Sequence, residues 1–163
     1  MAIGYGGIKK WFDAYFETFN RDAGPLATVV NMKKFFTDDL QFWGYHLAGE
    51  RPSNRETLLI SMVHPGLHEH LTALEYTIDL KKMIVVVNFR VQFSDQISGK
   101  VWPPKLTSTH YHLVLNKNGE PQIKKIVYFM EHRPPEESDY RPLWARYREK
   151  EFAEHGKLAE RLK

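Results

Sequence analysis

The sequence predicts an α+β fold: a strongly curved antiparallel sheet wrapped around N-terminal helices, plus an extra C-terminal helix. Three observations carry that expectation. Residues 69–131 read as long strands joined by short turns. Residues 8–63 carry helical spacing interrupted by one aromatic strand, and the chain closes on a discontinuous apolar stripe between Tyr140 and Leu162.

Trp11, Tyr15, Phe16 and Phe19 recur at helical spacing, with Asp13, Glu17 and Asn20 elsewhere, so the first helix spans about Ile8 to Arg21. Ala23-Gly-Pro25 breaks it. Pro25 suits the first turn of a second helix, which the pattern carries to about Phe36 and ends at Thr37-Asp-Asp39. Leu40 to Leu47 is a short aromatic strand and Ala48 to Pro52 a loop. Ser53-Asn-Arg-Glu56 has the form of a capping box, opening a third helix through about Val63 that His64-Pro-Gly66 stops.

The strongest strand signal is Met83 to Phe93. Val85, Val87, Phe89, Val91 and Phe93 alternate with residues that turn polar along the run, which describes a strand buried on one side. The runs His70–Leu80 and Leu106–Leu115 flank it, and Leu80-Lys-Lys makes the first pair a hairpin. Asn116 to Pro121 is a turn before the last strand, Gln122 to Glu131. Asp95 to Pro104 interrupts the meander as a loop at one rim. His132-Arg-Pro-Pro135 marks a boundary, so residues 1–135 form the main domain. Residues 136–163 are an amphipathic helix that is either part of the same domain or a dimer or lid element.

At 163 residues one domain is the simplest organisation. The net charge of +3 includes no basic stripe, and residues 136–163 balance seven acids with seven bases, which argues against a nucleic-acid partner. No window reaches membrane-spanning length, no secretory leader is visible, and the absence of cysteine fits a reducing compartment, so the expected setting is cytoplasmic, with no membrane partner. Four Trp, eight Tyr and ten Phe exceed what a modest core needs, so some of them line a cavity.

The element order, Phe35-Phe-Thr-Asp-Asp39 with its following strand, and Val114-Leu-Asn-Lys-Asn-Gly119 before the last strand resemble the nuclear transport factor 2-like (cystatin-like cone) superfamily, most of all its SnoaL-like branch. The resemblance covers residues 8–131. It implies a cone enclosing a hydrophobic pocket, often in a homodimer. The function it implies is a cofactor-independent isomerase, dehydratase or cyclase acting by proton transfer on a hydrophobic small molecule, that is, an isomerase or lyase. The alternative is a non-catalytic small-molecule-binding or dimerisation module of the same fold.

Carried over residue by residue, the resemblance keeps little of the family chemistry. The ketosteroid isomerase general base falls at about Gly44, with Tyr45 and His46 just after it; the oxyanion tyrosine corresponds to Tyr15, and the buried acid falls near Tyr111. The limonene epoxide hydrolase Arg-x-Asp reads Arg90-Val91-Gln92, where Gln is no proton acceptor. One scytalone dehydratase histidine has a counterpart in His68 or His70, and the other position reads Val87.

Parity along the strands selects the site. Thr109, Tyr111, Leu113 and Leu115 form the more apolar set and face inward, sending His110 and His112 outward. Val85, Val87, Phe89 and Val91 face inward too, with Leu74, Tyr76, Tyr128 and Met130 beside them. Tyr15, Tyr111 and Tyr128 are then the expected hydrogen-bond donors, and His46 or His70 the expected base near the mouth. Phe19, Trp43, Tyr76, Val87, Phe89, Trp102 and Met130 are the expected substrate-binding walls; for the tyrosines and tryptophans the competing reading is ordinary core packing. His64, His68 and His70 are close in sequence, but Pro65-Gly66 prevents a helical ligand pair and no acidic third ligand has a recognised spacing, so no metal is expected.

Overall fold

The computed structural model describes residues 3–44, 51–131, 134 and 139–163. Helix α1 is Tyr5–Asp22; α2 is Leu26–Val29, continued by a 3-10 helix, Val30–Phe35. Strand β1 is Phe36–Gly44 and α3 is Arg55–Ser61. Strands β2 (Leu67–Asp79), β3 (Ile84–Asp95), β4 (Lys105–Leu115) and β5 (Pro121–Met130) follow, then α4 (Tyr140–His155), continued by a 3-10 helix, Gly156–Leu162. The fold is α+β, as expected.

The sheet order is β1-β5-β4-β3-β2. β2 to β5 form the antiparallel meander, whereas β1 joins parallel to β5, so the sheet is mixed and not wholly antiparallel. β1 enters the sheet after a helix and leaves through another, which frees it to lie along β5 in the same direction. Two local boundaries also differ from expectation. Phe36 to Asp39 already belong to β1, and the cap of α3 is Asn54, whose side chain accepts from the Thr57 amide at 2.8 Å. Ser53 pairs its backbone with Phe42 instead.

The inner face of the sheet is covered by α1, which buries Ile8, Phe12, Tyr15, Phe16 and Phe19 and leaves Trp11 half-buried. β3 keeps its alternation without a break: Val85, Val87, Phe89, Val91 and Phe93 are all buried. β2 does not. Its register with β3 shifts between Ala73 and Glu75, a bulge that inserts one extra residue. Before the bulge Leu67, Glu69, Leu71 and Ala73 lie opposite the inward residues of β3; after it Tyr76 and Ile78 do. Leu74, expected inward, is 50% exposed, and Leu115, at the end of β4, is exposed as well.

β2 is an edge strand, and α1 covers that edge at one point. The Asn20 side-chain amide donates to Leu71 O at 2.9 Å, and its carbonyl accepts from Leu71 N at 2.8 Å. One amide thus replaces a neighbouring strand. α4 lies across the N-terminal half of β2 and the end of β3. Tyr140 stacks on Phe93 with ring centroids 4.0 Å apart, Tyr147 Oη donates to Asp95 Oδ1 at 2.8 Å, and Glu151 accepts from Leu26 N at 2.8 Å. Among the described residues no helix is long and apolar enough to cross a membrane.

Candidate functional site

Between the inner face of the sheet, α1, α3 and α4 lies a cavity of about 480 Å³, within the range of small-molecule sites. Its walls are mostly apolar: Phe19 from α1, Phe42 from β1, Leu58 and Met62 from the α3 region, Phe89 and Phe93 from β3, Trp144 from α4. The polar groups in it are few.

The first group is phenolic. Tyr15, Tyr111 and Tyr128 all line the cavity, with the rings of Tyr15 and Tyr111 5.9 Å apart. Burial pushes the ionisation of each well above the usual phenol range, and the Glu69 charge raises Tyr15 and Tyr128 further. They are neutral donors. Beside them Thr109 Oγ1 is buried with no hydrogen-bond partner within the protein.

The second group is a carboxylate and an imidazole, neither of which the sequence reading placed in the site. Glu69 lines the cavity, its side chain 13% exposed, and its Oε2 lies 3.3 Å from Nε2 of the fully buried His64. The turn that carries His64 is built for this. Gly66 adopts φ +95°, a conformation other residues rarely take, and a Cβ there would lie 3.4 Å from the Tyr147 ring. The turn closes with Leu67 N donating to His64 O at 3.1 Å. His64 Nδ1 lies 2.9 Å from Leu67 O. A carbonyl only accepts, so Nδ1 carries a hydrogen, and in the neutral ring Nε2 is then a bare lone pair. A lone pair facing a carboxylate oxygen is repulsive until a proton stands between them. Nε2 makes no well-aligned hydrogen bond in this conformation.

The remaining expected residues divide clearly. Phe19, Phe89 and Met130 line the cavity with the three tyrosines. Gly44, where the family base would fall, lines it too but supplies no side chain. His70 is exposed on the opposite face, its ring 5.7 Å from that of His68. The bulge is the reason: parity counted back from Tyr76 puts His70 inward, and the extra residue exchanges it for Glu69. Trp43 pairs with Val127 on the outer face, under the Lys125 ammonium at 5.7 Å. Tyr76 packs on Phe12, but its hydroxyl donates to Asp13 at 3.0 Å near the surface. Val87 is core beneath the wall. Trp102 is buried outside the cavity, where its indole N–H donates to Asp139 at the start of α4. His46 lies outside the described residues. His110 and His112 are on the outer face, as expected: both pair with outward residues of β3.

No protein-family model matches the chain, and no curated protein sequence does. Solved structures do. The chain is similar to ActVI-ORFA from Streptomyces coelicolor, with a TM-score of 0.57 and 13% identity over 79% of this chain and 98% of that one. It is similar to a ketosteroid isomerase-like protein from Erwinia carotovora atroseptica, with a TM-score of 0.54 and 16% identity over 77% of this chain and 95% of the other. An NTF2-like protein of unknown function from Shewanella baltica gives 0.53 and 14% over 80% and 99%. The fold is that of the nuclear transport factor 2-like cone. At these identities the likeness is one of fold, so the chemistry rests on the cavity itself.

Proposed function

We propose that this cone is an enzyme of the SnoaL-like type, an isomerase or lyase that moves a proton on a hydrophobic small molecule without a cofactor. The observation that carries the reading is Glu69 set against His64 Nε2 in the wall of an apolar cavity that also holds three neutral phenols. In the proposed step Glu69 takes the proton from a carbon next to a substrate carbonyl. The C–H electron pair moves towards the carbonyl oxygen, and the enolate that forms accepts hydrogen bonds from Tyr15, Tyr111 or Tyr128. The abstracted proton sits between Glu69 and His64. Returning it to another carbon gives isomerisation; giving it to a β-hydroxyl that leaves as water gives dehydration; attack of the enolate on a second carbonyl, whose oxygen then takes the proton, gives cyclisation.

Two exposed apolar side chains on the outer face of the sheet support the further proposal of a homodimer. Leu106 and Phe129 are 54% and 48% exposed on adjacent strands, a patch that a second copy would cover. The cysteine-free sequence is in keeping with a cytoplasmic setting.

The test uses 2-tetralone, an apolar ketone with exchangeable α-hydrogens, in deuterium oxide, following loss of its α-proton signals by NMR. The protein is expected to speed the exchange, and Glu69→Gln to reduce that acceleration by about 100-fold or more. Equal exchange by the protein and the variant would sink the proton-transfer reading and leave the non-catalytic binding module. Size-exclusion chromatography with light scattering tests the dimer; monomer mass at micromolar concentration would remove it.

A further inference from the structure

Helix α4 brings two arginines to the cavity, Arg141 and Arg148, seven positions and so two turns apart on one face. Arg148 is half-buried. Its Nε donates to Val63 O at 3.3 Å and one Nη donates to Ser61 O at 3.5 Å, both long contacts to neutral carbonyls. Its guanidinium also lies over Trp144, 5.8 Å from the ring centroid. Among the described residues no carboxylate pairs with Arg148, and burial alone lowers its proton affinity. A half-buried guanidinium without a counter-ion is costly in the free protein. The cavity therefore carries two cations and one acid, Glu69, and that acid is directed at His64.

We propose that the ligand of this cavity is an apolar molecule bearing an anionic group, a carboxylate or its equivalent, that docks on the Nη edge of Arg148 left open by those two contacts, with Arg141 at the rim. Arg148 is a binding residue in this account: it fixes one end of the molecule so that the apolar body runs along Trp144 and Phe93 towards Glu69 and the phenols. The inference rests on the cavity reading above and adds the chemical class of the substrate. A guanidinium suits this role because its planar donors match two carboxylate oxygens at once.

The experiment is displacement of the neutral fluorophore N-phenyl-1-naphthylamine from the purified protein by 2-naphthoate and by 2-naphthamide, which share shape and differ in charge. The wild-type chain is expected to release the dye at a naphthoate concentration about 10-fold or more below that needed with the amide, which corresponds to about 1.4 kcal/mol. Arg148→Met is expected to bring the two within about twofold, and Arg148→Lys, which keeps the charge but loses the fork, to retain part of the preference. Should Arg148→Met fail to melt cooperatively, the wild-type comparison and the lysine variant decide alone. Equal displacement by acid and amide in the wild type, or a preference that survives Arg148→Met, overturns the proposal. If the dye does not bind at all, the cavity reading falls with it; if 2-tetralone exchange proceeds while the acid shows no advantage, only the anion site falls.

Discussion

The polar groups proposed to take part in proton transfer come in two kinds, held by two kinds of structure. Tyr111 stands on β4 and Tyr128 on β5, both within the stretch from Thr107 to His112 over which these strands pair in continuous register before a shift at Leu113, and Tyr15 stands on the 18-residue helix α1. Their protons are held tightly, because burial disfavours the phenolate. Glu69 and His64 sit instead on a bulged edge strand and the turn before it. Two proton acceptors, a carboxylate oxygen and an imidazole nitrogen, face each other there at 3.3 Å. The paired strands and α1 thus supply hydrogen-bond donors, and the bulged edge and its turn supply the two acceptors. Catalysis by proton transfer needs one of each.

The largest expected effect separates them directly. Glu69→Gln removes the acceptor and is expected to lower 2-tetralone exchange by about 100-fold or more, whereas Tyr111→Phe leaves Tyr15 and Tyr128 to hold the enolate and is expected to cost about 10-fold. The reverse order would mean that the phenols, not the carboxylate, dominate the chemistry. An ultraviolet difference titration sharpens the contrast on the phenol side. Fewer than the eight tyrosines should titrate near the ordinary value of 10 while the chain stays folded. The sign follows from the raised folded-state ionisation of Tyr15, Tyr111 and Tyr128: their contribution to stability is whole below about pH 10 and is lost as pH climbs above it. Titration of all eight together, with native circular dichroism retained, would contradict the neutral-donor assignment.

The same contrast explains what was legible in the sequence. β3 alternates without interruption, so its inward set could be read from residue type, and the more apolar set of β4, with Thr109, Tyr111 and Leu113, likewise sends His110 and His112 outward. The helix order, the meander and the three cavity phenols followed from periodicity and from the family resemblance. Glu69 and His70 could not be told apart that way. A single extra residue at Leu74 reverses parity for everything before it, and no turn residue such as Gly or Asn marks the spot. The visible signal was the other half of the strand: Leu67, Leu71 and Ala73 are an apolar set that includes Glu69 and excludes His70. Counting from His64-Pro-Gly66 forward would have found it. The pairing of β1 along β5 is a long-range choice that local pattern does not encode, and Trp43 went to the wrong face with it. Arg148 belongs to a helix with many charges of both signs, and only the docking of α4 shows which of its faces meets the cavity.

Asn20 offers a smaller but more local probe of the bulged side. Its side chain satisfies both backbone groups of Leu71, two residues from Glu69. Asn20→Ala would leave a part-buried amide and carbonyl unpaired at the sheet edge, costing about 1–3 kcal/mol of stability in urea unfolding. Because it loosens the strand that carries Glu69 and not β4, exchange activity should fall in this variant while the delayed tyrosine titration is unchanged below its melting transition. A loss of stability with full activity would show that β2 holds Glu69 in place without this clamp.

The smallest expected effect concerns the element that overlies the carboxylate side. α4 is anchored by two acids, one on each side of the contact: Asp95 at the end of β3 accepts from Tyr147 Oη, with Ser98 Oγ also donating to it, and Asp139 at the start of α4 accepts from the Trp102 indole and pairs with Lys100. Hydrogen bonds, chiefly from Ser98 in one case and Lys100 in the other, hold both carboxyls below their ordinary value of 3.8. Groups shifted in this direction stabilise the fold above that value and lose their contribution as pH falls through the lowered one. Acidification below about pH 4 should therefore release α4 first. Trp102 and Trp144 would report it as a loss of near-ultraviolet circular dichroism before the far-ultraviolet signal of the sheet declines, and Asp95→Asn should show part of that loss already at neutral pH. Coincident loss of both signals would mean that α4 unfolds only with the sheet, and that the roof over Glu69 is as firmly fixed as the phenols beneath it.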